Sequence, residues 1–239
     1  GRIKFRGERD LLRGEILGYF EGGFGILLDA LVEAVGDRQI QTNAPVTDLG
    51  FEGGEETLQV SELTVETPDG KRTHEVDDVV VATMPNVLKD LTGYECEIDF
   101  QGAVCALVSI AEPLTGTYWL NIGHDAPFGA LIEHTEFVPP ERYGGQHLLY
   151  IASYIQSPEE WLWQADEEEI RDRWLGHIAE LFPDFDPASV SRFRLAKNPR
   201  AAPVYERGYL DTVIPYDLSE AVADGVYYAG MASRAQYPE

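Results

Sequence analysis

The chain reads as an α+β protein: a mixed, largely antiparallel sheet with flanking helices. Three observations point there. Four apolar runs of strand length follow one another from about residue 96, with no helical pattern between them. Apolar periodicity of the helical kind is confined to a few segments. No G-x-G-x-x-G opens a helix after a strand, so a doubly wound nucleotide fold is not indicated by this stretch alone.

The elements follow in order. The opening "GRIKFRGERDLLR" is strongly basic, unlike everything after it, and reads as the cut edge of a larger structure. "GEILGYFEGGFG" leads into a helix over 24–35, where Phe24, Leu27, Leu28, Leu31 and Val35 recur at helical spacing and Gly36 supplies the C-cap. Strands are expected over 39–83: "QIQTN", "APVTDLGF", then a hairpin turning at "PDG" and the buried run "VVVA". Pro85 opens a short helix, "PNVLKDL". "GAVCALVSIA", "TYWLNIG", "FGALIEHT" and "HLLYIASYI" are strands. Asp166 and Glu169 start a helix, "DEEEIRDRWLGHIAELF", in capping-box spacing, with Ile170, Trp174, Ile178 and Leu181 as its buried stripe. "SVSRFRLAKNPRAAPVYERGY" reads as a strand entering a proline-rich loop, and "GVYY" as a last buried strand.

Composition narrows the function. Forty-two acidic residues face 18 basic ones, a net charge of -24, and lysine occurs only at Lys4, Lys71, Lys89 and Lys197. Acids spread over the whole chain suit a surface adapted to high salt, where self-repulsion is screened; an ordinary acidic protein is the alternative reading. The same charge repels a phosphate backbone, which argues against nucleic-acid binding. Cys96 and Cys105 lack zinc or redox spacing and read as reduced core thiols. No leader pattern and no apolar run of membrane-spanning length occurs, so a soluble, cytoplasmic protein is expected.

No G-x-S-x-G elbow, Walker loop, H-E-x-x-H or paired C-x-x-C is present. His74, His124, His134, His147 and His177 show no metal-ligand spacing, and no metal is expected. "GGFG" has its glycines at the wrong offsets to cradle a pyrophosphate.

Taken in order, "GYFEGGFGILLDALVEAVGD", "IQTNAPVTDLGF", the hairpin, "VDDVVVATMP" and "GVYYAGM" resemble FAD-dependent oxidoreductases of the protoporphyrinogen oxidase, phytoene desaturase and flavin amine oxidase group. "LIEHT", "PVYERGY" and "QYPE" resemble a prokaryotic branch near protoporphyrinogen oxidase and, more distantly, UDP-galactopyranose mutase. The resemblance implies a partial FAD-binding domain over 1–95 (a helix and a β-meander), a substrate-binding domain over 96–225, and a return strand to the FAD-binding domain over 226–239. It also implies an internal fragment of a larger, haloarchaeal-type enzyme that lacks the N-terminal Rossmann unit. That unit is the expected partner, beside a small-molecule substrate; self-association of the fragment is a further expectation. FAD is the implied cofactor of the full-length protein and is expected to be absent from the fragment, which alone is inactive.

Cofactor-binding candidates carried by the resemblance are Gly22, Gly23, Val46, Ala82, Gly230 and Met231. Val46 either meets the adenine or is an ordinary strand valine; Gly22 and Gly23 either admit the flavin or make a tight turn. Met231 stands where the group has Asp or Glu, and a thioether cannot replace that acceptor. On the substrate side, Glu133 and His134 end an apolar run, and only one of two adjacent strand residues can line a pocket. Arg200, Tyr205, Arg207 and Tyr209 crowd "NPRAAPVYERGY", where a guanidinium can grip a carboxylate or phosphate or can pair with a surface acid. Trp119 either walls a pocket or fills the core. The first reading is hydride removal from a C–H or C–N bond. A flavin sugar mutase, served by Arg200 with Arg207 or Arg194, and a non-catalytic binding module on the same scaffold are the alternatives. An amine oxidase proper wants a lysine near the flavin, and only Lys197 follows residue 90.

The charge carries a stability prediction. The melting temperature should fall steadily as potassium chloride is lowered from molar to millimolar; a flat or rising profile in differential scanning calorimetry contradicts the salt-adapted surface.

Overall fold

The structure, a computed structural model, describes residues 18–54, 57–123 and 125–234. The basic opening segment, His124 and the final "QYPE" lie outside the described residues. The chain divides into two compact units, one of residues 1–50 with 61–76 and one of 51–60 with 77–239.

In the first unit, helix α1 spans Gly25–Val35. Gly36 ends it at φ 87° and donates its amide to the Val32 carbonyl at 2.8 Å. None of its residues is buried: Leu28 is 63% and Val35 56% exposed, so its apolar stripe joins no core among the described residues. The strand expected at "QIQTN" does not form. Asp37–Gln39 make one 3-10 turn, and Asn43 takes φ 53°, a left-handed conformation that interrupts an extended chain. Strand β1 (Val46–Gly54) begins only after Pro45, and β2 (Thr57–Thr67) and β3 (Gly70–Glu75) complete a meander of order β1-β2-β3, of which residues 51–54 and 57–60 are counted with the second unit. Thr67 pairs with Gly70, so Pro68 and Asp69 form the two-residue turn that "PDG" predicts.

The second unit holds two sheets. β4 (Val79–Val81) is followed by α2 (Pro85–Thr92), which Gly93 caps in the left-handed conformation. β5 (Phe100–Ile110), β6 (Trp119–Asn121), β7 (Ala130–Glu133) and β8 (His147–Ile155) come next, then α3 (Trp161–Gln164), α4 (Glu167–Leu181) and β9 (Arg192–Pro203). A single turn, α5 (Tyr209–Thr212), precedes β10 (Val226–Tyr228). The five-stranded sheet has the order β6-β7-β8-β5-β9, and its pairs are antiparallel. β10 instead pairs parallel with β4, Val226 against Val79 and Tyr228 against Val81. The five-stranded sheet is thus inserted between two strands that rejoin each other.

α4 lies against one face of the five-stranded sheet. Ile170, Trp174 and Ile178 are fully buried, as the helical stripe predicts, and pack with Val104, Ala106, Val108, Leu131, Leu149 and Ile151. Each such side chain withdrawn from water contributes about 1.5–3 kcal/mol. Trp174 meets its polar requirement by donating Nε1–H to the Pro127 carbonyl at 2.8 Å. Asp166 caps α4, its carboxylate accepting the Glu169 amide at 2.9 Å. Glu169 does not reach back as a capping box would; it accepts from Trp161 Nε1 at 2.8 Å and ties α3 to α4. Among the described residues no helix is long and apolar enough to cross a membrane.

Two glycines test this packing. Gly225 has φ 78°, and a Cβ there would lie 2.5 Å from the Asp77 carbonyl and 3.0 Å from Val60 Cγ1. Gly225→Ala should therefore cost about 1–3 kcal/mol. Gly176, on the outer side of α4, has nothing within 4 Å of an added Cβ. Gly176→Ala should gain about 1 kcal/mol of helix propensity. Urea unfolding of both variants checks the opposite signs.

Candidate functional site

Strand alternation divides the five-stranded sheet into two faces. Leu120, Leu131, Ile151, Ala106 and Leu195 point to α4, so their neighbours point the other way. On that second face the register builds three rows. Trp119, Ile132, Tyr150, Leu107 and Arg194 form one, with Trp119 45% exposed. Asn121, Ala130, Ala152, Cys105 and Ala196 form the next, and Tyr154, Ala103 and Asn198 the third. The middle row has only small side chains over four strands, between a bulky row and Tyr154, which is 62% exposed. It forms a shallow apolar trough about 14 Å long at the usual strand spacing. Burial of Cys105 raises its thiol above the ordinary range.

The substrate-side candidates scatter. Trp119 stands on the trough's rim, its Nε1–H donating to Asn121 Oδ1 at 2.8 Å. Glu133 faces the other way and is fully buried. Its carboxylate accepts the Leu114 amide at 2.8 Å, the Thr115 amide at 2.6 Å and the Thr115 hydroxyl at 2.8 Å, so it anchors the loop after β5. His134, 7% exposed, lies where β7 ends, with Nε2 2.7 Å from the Tyr143 hydroxyl and its ring edge-on to Tyr150. Burial lowers its pKa, which favours the neutral ring.

The cluster read from "NPRAAPVYERGY" divides. β9 continues past the expected loop to Pro203, because the Val204 amide still donates to the Asp99 carbonyl at 2.8 Å. Ala202 pairs with Gln101 and Asn198 with Ala103, so Pro199, Arg200 and Ala201 bulge opposite Gly102 alone. The bulge places Arg200 at a cleft of about 440 Å³ bounded by α2, α3 and the ends of β5 and β8. Tyr205, Arg207 and Tyr209 come after the strand and do not line that cleft. Tyr209 is buried, with the exposed Tyr205 ring edge-on to it at 4.8 Å, and Arg207 is exposed.

The parallel pair β4/β10 brings other candidates together. Ala82 directly follows β4, and Ala229 and Gly230 follow β10, so all three meet at the carboxyl end of both strands. Ala82 and Ala229 are exposed there. Tyr228 braces the junction, its hydroxyl donating to the Thr83 carbonyl at 3.0 Å. Burial pushes that phenol up to about 12, so it stays protonated as a donor. A Cβ on Gly230 would collide with the Thr83 carbonyl and the Tyr228 ring. The carboxyl end of parallel strands is where ligands of open α/β sheets bind.

A family model described as flavin-containing amine oxidoreductase matches residues 4–239. The chain belongs to this family. No curated protein sequence matches it. Among solved structures, an oxidoreductase from Methanosarcina mazei is 20% identical, with a TM-score of 0.64 over 89% of this chain and 50% of that one. Cyclohexylamine oxidase from Brevibacterium oxydans is 14% identical, with a TM-score of 0.61 over 90% of this chain and 49% of that one. Reduced UDP-galactopyranose mutase is 13% identical, with a TM-score of 0.60 over 87% of this chain and 45% of that one. These likenesses establish the fold, and the chain spans about half the length of the structures it matches.

For a member of the flavin-containing amine oxidoreductase family, the end of β4/β10 fits a flat cofactor in part. Ala82 and Ala229 leave room for close approach. Met231, half-buried, offers only a weak thioether acceptor. Gly230 is glycine because the chain itself crowds it. In the other unit, Gly22 at φ 91° and Gly23 at φ 87° form the turn before α1, a geometry that calls for glycine whatever binds nearby. Val46 opens β1 and is 37% exposed.

Glu133 gives the test of this placement. Glu133→Gln keeps the shape but turns a donor toward donors, and should cost about 1–3 kcal/mol. Hydrogen exchange at the Leu114 and Thr115 amides should accelerate more than at the Ile151 amide in β8.

Proposed function

We propose that this chain is the substrate-domain portion, with part of the flavin-binding domain, of an FAD-dependent oxidoreductase that removes hydride from a C–H bond of an apolar substrate, in the manner of protoporphyrinogen oxidases or desaturases. The observation that carries the reading is the rejoined pair β4/β10, which returns the chain from the inserted sheet to a strand end bearing Ala82, Ala229 and Gly230. FAD, when bound, supplies the hydride acceptor. Ala82 and the backbone around Gly230 are the residues of this unit that would hold it. The trough supplies the substrate wall: its small middle row admits a flat apolar body, while Trp119, Ile132, Tyr150 and Leu107 exclude water along one side.

Two features favour this over the relatives' other chemistries. Lys197 is committed elsewhere, its Nζ donating to the Trp163 and Ala165 carbonyls at 2.7 and 2.6 Å, so it is not placed to assist amine oxidation. A sugar mutase needs arginines that converge on a diphosphate. Here Arg194 stands on the trough face, Arg200 in the cleft and Arg207 beyond the strand.

The full-length protein should purify with a flavin absorbance spectrum that an anaerobic hydride donor of the protoporphyrinogen or phytoene type bleaches, while this chain alone turns nothing over. A protein that binds no flavin rejects the reading in favour of a binding module. Rearrangement of a uridine nucleotide sugar by the reduced protein rejects it in favour of a mutase.

A further inference from the structure

We propose that the cleft at the root of the five-stranded sheet is a second ligand site, selective for a small monoanion with a flat apolar body, an aromatic carboxylate in chemical class. The cleft is separate from the trough. Gly102 and Ile155, which line it, pair with each other in the register that faces α4, and Trp163 reaches it from α3 on that same side. Its volume of about 440 Å³ lies within the range of about 300–1,000 Å³ usual for small-ligand pockets.

Its lining selects the ligand. Ile98, Phe100, Ile155 and Trp163 give an apolar wall against which a ring can lie. Arg200 supplies the positive charge. Among the described residues no carboxylate lies within ion-pair distance of its guanidinium; the same holds of Arg171, Arg192, Arg194 and Arg207, and it is the cleft lining that sets Arg200 apart. The bulge fixes this display: the Arg200 amide is held by Asn198 Oδ1 at 3.0 Å, and a Cβ on Gly102 would meet Ile155 Cγ1 at 2.6 Å, so the strand opposite has no room for a side chain. Lys89, the other cation of the lining, is already paired with Glu95 at 2.8 Å. Asp99 also lines the cleft. The lining is thus charge-balanced, so a carboxylate can be held only by direct bidentate contact with Arg200, and with Asp99 in the same lining a phosphate dianion is repelled about twice as strongly as a monoanion.

Cys96 lines the same cleft and is half-buried, while Cys105 lies in the trough, so the two thiols report on the two sites separately. The test is the rate of N-ethylmaleimide labelling at each thiol, read by peptide mass spectrometry, with benzoate as the probe and benzyl alcohol as its uncharged counterpart. Benzoate should slow labelling of Cys96 saturably and leave Cys105 unchanged; benzyl alcohol should protect neither. Arg200→Gln should raise the half-protecting benzoate concentration about tenfold, the loss of one charge-assisted contact, with Arg200→Lys in between. Arg200 is exposed, so an unchanged melting temperature is expected of both variants. If Cys96 resists labelling, isothermal titration with benzoate reads the same difference between the parent protein and Arg200→Gln. Absence of saturable binding, equal binding by Arg200→Gln, or protection of Cys105 alone overturns the proposal. The readout needs no turnover, so it stands or falls independently of the redox reading.

Discussion

The parallel pairing of β4 with β10 is the constraint from which the rest of the larger unit follows. A parallel pair cannot be closed by a tight turn and needs a long crossover. Here the crossover is an entire sheet with its helices: the Tyr228 hydroxyl bonds a carbonyl 145 positions earlier. The junction leaves little freedom. Val79 donates to the Gly225 carbonyl at 2.7 Å and Ala229 to that of Val81 at 3.0 Å, and Gly225 and Gly230 are glycines because backbone and ring atoms fill the space a side chain would need. Holding these two strand ends together is what puts Ala82 beside Gly230.

The inserted sheet is one-sided, and that asymmetry makes a site available. α4 covers the face bearing Val104, Ala106, Val108 and Ile151, so strand alternation leaves the opposite set half exposed without further instruction. Cross-strand register then sorts the second set by size, bringing Ala130, Ala152, Cys105 and Ala196 into one row.

Scarce cations and one buried acid hold this arrangement in place. Lys197 reaches from β9 to the Trp163 carbonyl of α3 and the Ala165 carbonyl just after it, and Arg173 of α4 stacks 4.2 Å over the Trp161 ring, so α3 is tied to the edge strand and α4 to α3. Glu133, at the end of β7, holds a loop instead, gathering the Leu114 and Thr115 amides that would otherwise be left without acceptors beside the core.

The sequence by itself determined the local elements wherever one pattern was strong. The stripe of Ile170, Trp174 and Ile178, the cap at Asp166, the turn at "PDG" and the β-branched run at 79–81 each need only neighbours in the chain, so periodicity and capping chemistry reveal them. It also revealed the order of segments by which the family is recognised. What tertiary structure alone decided is everything that depends on partners distant in sequence. Glu133 and His134 look alike on paper, but only packing shows that one anchors a loop and the other ends a strand under Tyr143 and Tyr150. "NPRAAPVYERGY" looks like one cluster, and only the bulge opposite Gly102 separates Arg200 from Tyr205, Arg207 and Tyr209. The trough is spread over residues 105 to 196 and exists only through register, because side-chain alternation assigns each residue a face while only strand pairing assigns it a neighbour.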